Sequence, residues 1–203
     1  MNHTLFLGAV VILALMAGTA NSQPAKPDFQ ALLTPKVIGE IHEWANNDVV
    51  KISIAAQNQR YADVDQARID ALDKQWRAER ETNDKPLIAA TLSSPLSTYL
   101  TRIQGRSIGL YAELFVMDDK GLNVGQSSIT SDFWQGDEDK FLKTYAVSED
   151  AVFMDEPEWD DDAKIWRGQV SFTLKDKAGK QKVGALTVEF NLTELQRRMA
   201  AGI

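Results

Sequence analysis

The 203-residue chain contains no cysteine. It therefore has neither a disulfide framework nor the lipidated cysteine of an anchored lipoprotein. Histidine is almost as scarce, with only His3 and His42. No glycine-rich phosphate loop and no Gly-x-Ser-x-Gly elbow occurs, so the templates for nucleophilic catalysis and nucleotide binding are missing. No pair of carboxylates is singled out by spacing. The sequence thus names no catalytic residue, no cofactor and no committed metal site. Lysines and arginines are scattered and the net charge is -7. That balance argues against nucleic acid as a partner, because neutralising phosphates takes clustered cations. Internal repeats and low-complexity tracts are also lacking.

Charge is missing altogether from residues 1–22, which hold no Asp, Glu, Lys or Arg. An apolar run from Leu5 to Ala17 is followed by Gly18, Thr19, Ala20 and Ser22. This is the pattern of an export signal cleaved after Ala20 or Ser22. A membrane anchor is the alternative, but the run falls short of the roughly 20 residues a spanning helix needs. No second apolar run of that length follows. The expectation is a periplasmic or secreted protein, with residues 23–33 as a flexible leader and 34–203 as one domain.

Within that domain the signals divide into two halves. Thr34-Pro35 is a helix start, with Thr34 as N-cap and Pro35 at the first helical position. Apolar residues at Val37, Ile38, Ile41, Ala45, Val49, Ile52 and Ala56 extend a helical spacing to about Arg60. A second helix is predicted over 65–81, with Ile69, Leu72 and Trp76 on one face. Ser94-Pro95 opens a third, striped by Leu96, Tyr99, Leu100 and Ile103. From Ser107 the pattern becomes that of strands: 109–117, 122–127, 151–156, 165–174 and 182–191. In the last two, Val170, Phe172 and Leu174 alternate with polar residues, as do Leu186, Val188 and Phe190. Thr193 to Met199 can form a short final helix. The fold class is α+β: a five-stranded antiparallel sheet with a long N-terminal helix packed on one face.

The stretch 123–145 does not fit simple core building. A polar run leads to the neighbouring aromatics Phe133 and Trp134, flanked by Asp132 and Gln135, before Gly136 and the acids Asp137, Glu138 and Asp139. The three acids suit a helix start, and Phe141, Leu142 and Tyr145 its core face. Asp132, Phe133 and Trp134 precede that helix. Aromatics among polar groups on an irregular segment are what a ligand pocket or recognition loop uses.

Three segments carry a family resemblance: Val116-Met117-Asp118-Asp119-Lys120-Gly121, Thr130-Ser131-Asp132-Phe133-Trp134-Gln135-Gly136-Asp137-Glu138, and Val183-Gly184-Ala185-Leu186-Thr187-Val188. With the order of elements, they make residues 108–192 resemble the PAS-like extracytoplasmic sensor domains known as single Cache or PDC sensors. The resemblance implies a PAS-like sheet and a small ligand, such as an organic acid, amino acid or amine, held between that sheet and the loop-helix segment. It also implies ligand contacts from Asp132, Phe133 and Trp134, and from Asp155 at a strand end facing that segment. Tyr111 and Glu113 alternate on the first strand, which puts Tyr111 either in the pocket or at the core edge. Relatives are usually flanked by two membrane helices and an output domain. Only Leu192 to Ile203 follow the last strand, so the expectation is a module acting with a membrane receptor, signalling or transport partner. A homodimer through the long helix is the other expected association.

Residues 149–162 hold eight acids and no Lys or Arg. A divalent cation is one reading, but the glycine and terminal glutamate of a calcium loop are missing, and a solvated acidic loop is the other. Arg102 and Arg106 read as solvated or as carboxylate partners, and His42 as a surface or helix-packing residue. Two functions remain in view: a ligand-binding sensor module, and a structural or protein-interaction module that has kept the fold and lost the pocket.

Overall fold

A computed structural model describes residues 23–202; the export signal expected at 1–22 lies outside them. The chain runs α1 (Phe29–Leu32), α2 (Pro35–Ala45), α3 (Asp48–Arg60), α4 (Gln66–Arg80), α5 (Pro86–Leu92), α6 (Pro95–Arg106), β1 (Tyr111–Met117), β2 (Asn123–Gln126), α7 (Asp139–Leu142), β3 (Val152–Met154), β4 (Glu158–Asp160), β5 (Ile165–Lys175), β6 (Lys182–Asn191) and α8 (Leu192–Ala201). None of these helices is long and apolar enough to cross a membrane.

Local chemistry sets the helix ends. Thr34 Oγ1 accepts the Val37 N–H at 3.3 Å, Asp65 Oδ1 that of Arg68 at 2.9 Å, and Ser94 Oγ that of Ser97 at 3.1 Å. Each satisfies a first-turn donor that the helix itself leaves open. The long helix expected to about Arg60 is in fact two. Asn46 ends α2, and Asn47 caps α3 by accepting the Val49 N–H at 3.0 Å. Asparagine side chains compete with helical backbone bonds, so the Asn-Asn pair splits a stripe whose apolar spacing is unbroken.

The sheet is antiparallel, in the order β2-β1-β6-β5-β3, and β4 also pairs with β5. β3 and β4 take the same edge in turn: Met154 opposes Val170, and Glu158 opposes Arg167. Pro157 lies between them and has no N–H to give the ladder. Six strands thus fill five positions, and part of the acidic stretch expected to be loop is strand.

The helical layer covers one face. Ile41, Val50, Ile54, Leu96 and Leu100 pack there on Leu114, Val116, Val170, Phe172, Leu186 and Val188, all essentially buried. Burying each such side chain contributes about 1.5–3 kcal/mol. The leader joins this core too. Phe29, Leu32 and Leu33 are buried, and the Trp166 indole N–H donates to the Pro24 carbonyl at 3.0 Å. Packed structure therefore begins before Thr34, because Phe29 meets Phe190 edge to face at 6.1 Å between ring centroids. A second cluster, Ile69, Leu72, Trp76, Ile88, Leu122 and Phe133, joins α4 and α5 to the β1–β2 turn and the segment after β2.

The other sheet face carries Phe115, Met117 and Ala185, covered by Phe141 and Tyr145. Beside them it is polar. Ser171 and Thr187 are buried there, their hydroxyls 2.9 Å apart in a hydrogen bond. Tyr111 and Glu113 do not share a face. A bulge between them sets Tyr111 opposite Phe190 and Glu113 opposite Glu189, so the expected alternation fails at one extra residue.

Candidate functional site

The segment after β2 is fastened at nearly every polar atom. Phe133 is buried and stacks on Trp76 at 5.3 Å. Trp134 folds back over Gly136, where a Cβ would come within 2.3 Å of the indole nitrogen. That nitrogen donates to the Lys120 carbonyl at 2.8 Å. Asp132 pairs with Arg77 at 2.8 Å, and its carbonyl accepts from Asn123, Thr130 and Gln135. The space beneath Trp134 is filled by side chains of the second cluster.

Further along, the same segment forms one wall of a cleft on the polar sheet face, with a cavity volume of about 460 Å³. Glu138 and Lys140 come from around α7; Asp155, Trp159 and Asp160 come from the β3–β4 edge. Arg167, Gln169 and Glu189 rise from β5 and β6. Side chains two apart on a strand share a face, and adjacent strands in register bring Gln169 directly opposite Glu189.

Arg167 organises this cleft. Its guanidinium reaches Glu189 at 2.8 Å and Asp160 at 2.7 Å. Burial alone would lower the Arg167 pKa, but these two partners together raise it. Asp160 is held below the ordinary carboxylate range, first by the Ala163 N–H and then by Arg167. Gln169 donates to Glu189 at 3.3 Å. Lys140 pairs with Glu138 at 2.7 Å and sits 5.6 Å from the centre of the Phe115 ring. Behind Glu189 lies Glu113, whose carboxyl accepts from Ser128 at 3.0 Å. Burial pushes Glu113 up, Ser128 opposes the shift, and Glu189 adds to it.

The cleft presents both signs of charge. Arg167 and Lys140 suit a carboxylate, whereas Glu138, Asp155, Glu156, Glu158, Asp160 and Glu189 suit an ammonium group. Trp159 adds a flat apolar surface that also favours a cation. No group of three His, Asp or Glu side chains among the described residues is arranged to hold a metal ion. A larger hollow, about 550 Å³, lies by His42, Lys51 and Lys175. Its cations are engaged, as those of the cleft are: Lys175 with Asp150, Lys177 with Asp48, and Lys51 with the Lys175 carbonyl.

Of the residues expected to touch a ligand, Asp155 lines the cleft. Asp132, Phe133 and Trp134 do not, and Tyr111 is buried on the opposite face against Trp44 and Phe190. Glu138, expected only to open a helix, is a cleft residue without a side-chain capping bond. Lys140, Trp159, Arg167, Gln169 and Glu189 escaped sequence reasoning. The available signal was the period-two run of polar residues Arg167, Gln169, Ser171 and Thr173 on a strand whose other face is core.

No protein-family model matches the chain, and no curated protein matches it. Among solved structures it is similar to the sensor domain of the V. cholerae histidine kinase DctB, at 14% identity and a TM-score of 0.36, over 83% of this chain and 59% of that one. It is similar to the sensory domain of the Campylobacter jejuni chemoreceptor Tlp3, at 14% identity and a TM-score of 0.39, over 81% and 67%. The ligand-binding domain of the Pseudomonas aeruginosa PAO1 amino acid chemoreceptor PctC, in complex with GABA, matches at 15% identity and a TM-score of 0.35, over 79% and 62%. The chain thus spans roughly three-fifths to two-thirds of the length of these sensor domains.

Proposed function

We propose that the chain is an extracytoplasmic small-ligand-binding domain of the sensor type, periplasmic or secreted, acting with a partner signalling or transport protein. One observation carries the reading. The cleft gathers Arg167, Glu189, Asp155, Lys140 and Trp159 from four separate parts of the chain into one hollow on the polar sheet face. Asp155, Glu156 and Glu158 stay exposed at its rim and carry no cleft cation of their own, so their charge is open to a ligand. The excess of carboxylates favours a ligand with an ammonium group, an amine or amino acid, over a simple organic acid. A homodimer would use α2 and α3 as separate helices, since no unbroken rod is present.

The test is a thermal-shift screen of the purified protein against amines, amino acids and organic acids at millimolar concentration. A specific ligand raises the melting temperature by mass action. The shift should vanish in Arg167→Met and Glu189→Gln, with circular dichroism unchanged. No shift with any class would sink the reading.

A second reading is a structural or protein-interaction module. The filled space beneath Trp134 favours it, as does the engagement of residues 130–134 with α4. It predicts no small-molecule shift and an unchanged melting temperature in Asp155→Asn.

A further inference from the structure

β2 is only four residues long, and all four are buried. Its pairing with β1 skips Val124, so Asn123 falls opposite Met117 and Gln126 opposite Phe115. Met117 and Phe115 are two apart on β1 and share the polar face, so the bulge brings both amides to that face as well. Without it, residues three apart on a strand would point to opposite faces. Both are sealed there: Asn123 is 1% exposed and Gln126 0%, and Thr130, which touches both, is 3% exposed.

The hydrogen bonds of these two amides do not close. Asn123 Nδ2 donates to Thr130 Oγ1 at 2.9 Å and to the Asp132 carbonyl at 3.0 Å, but Asn123 Oδ1 has no donor and Gln126 Nε2 no acceptor. Gln126 Oε1 lies 3.4 Å from Thr130 Oγ1, whose single proton goes to the nearer Asp132 carbonyl at 2.7 Å. Turning the Gln126 amide over lets its nitrogen donate to Thr130 and leaves its oxygen over instead. In either orientation the Asn123 oxygen and one Gln126 atom lack a partner, away from bulk solvent. Such atoms are unfavourable, and native interiors satisfy them with ordered water.

We propose that a single internal water joins Asn123 to Gln126, donating to Asn123 Oδ1 and bonding the Gln126 amide. Only water is both donor and acceptor at this size. A hard cation wants more oxygens than the pair supplies, and a charged organic group would lie uncompensated in a sealed site. The water completes a chain of hydrogen bonds from β2 into the segment that follows it. The Asp132 carbonyl accepts from Asn123, Thr130 and Gln135, and Gln135 Oε1 accepts from Lys140 of the cleft at 3.4 Å. The site thus supports the cleft wall, and it stands whatever the cleft binds.

Two measurements on the whole protein test this. A high-resolution crystal structure should show one isolated density peak within about 3.2 Å of both Asn123 Oδ1 and the Gln126 side-chain amide. In solution, nuclear Overhauser transfer from water should reach the Asn123 side-chain amide in the unaltered protein and in the cleft variant Gln169→Met. It should be lost in Gln126→Met, which keeps the volume and removes both polar atoms. If that variant fails to fold, the peak and the transfer in the unaltered protein decide the matter. Three outcomes would overturn the proposal: no peak at the site, a direct hydrogen bond between the two amides, or transfer that persists in Gln126→Met.

Discussion

Asp73 on α4 accepts the backbone N–H of Phe133 at 2.9 Å, and the same oxygen accepts that of Trp134 at 3.0 Å. Arg77 braces both Asp73 and Asp132, at 2.8 Å each. One carboxylate therefore holds the turn that aims Phe133 into the second cluster. Asp73→Ala leaves both amides unpaired and should cost about 2–4 kcal/mol, measured by urea denaturation. Asp73→Asn keeps an acceptor and should cost less.

Phe133→Ala removes the ring stacked on Trp76. Its expected cost is about 3–5 kcal/mol, in line with other large-to-small core substitutions. A loss under about 1 kcal/mol in the same denaturation assay would mean that the cluster collapses into the space.

Two glycines should respond in opposite directions to alanine. Gly121 has φ +83°, and a Cβ there would lie 2.5 Å from the Gly136 Cα. Backbone cannot yield as a flexible side chain does, so Gly121→Ala should cost at least about 3 kcal/mol and lower the melting temperature by roughly 6–12 °C. Gly39 sits inside α2, and a Cβ added there would meet nothing within 4 Å. Gly39→Ala should stabilise by about 0.5–1 kcal/mol. Calorimetric melting of both variants checks the pair.

Glu113 gives a pH dependence of definite sign. Burial raises its folded pKa above the ordinary value of 4.5. A carboxyl raised in this way binds its proton more tightly when folded, so its penalty on folding builds as pH rises through 4.5, is complete above the folded pKa and is absent below 4.5. Glu113→Gln should therefore raise the melting temperature at pH 7 or 8 and make little difference near pH 4. Equal gains at both ends of that range would show that ionisation is not the cause.

Features set by a few neighbouring residues were legible in the sequence. The Thr34-Pro35 and Ser94-Pro95 helix starts and the alternating β5–β6 hairpin are of this kind, because capping and pleating act over one to four residues. The break at Asn46-Asn47 was hidden by apolar spacing that continues across it. The bulge after Tyr111 was hidden because one extra residue leaves no compositional trace. The cleft was harder still. Arg167 and Glu189 lie on different strands, and only their register makes them partners. Phe133 and Trp134 stood out for being unusual, yet their surroundings show them anchoring a turn to α4.

The pairing of β1 with β6 has a kinetic consequence. It sets Tyr111 opposite Phe190, so the middle of the sheet joins residues nearly eighty positions apart. Closing so long a loop comes before any contact can reward it, which places such topologies among slow folders. Until β6 arrives, Leu114 and Val116 have no neighbour on that side and the helices before them lack half their core. The unfinished chain keeps apolar surface exposed until its last strand is in place, and the hazard of early association falls in that interval.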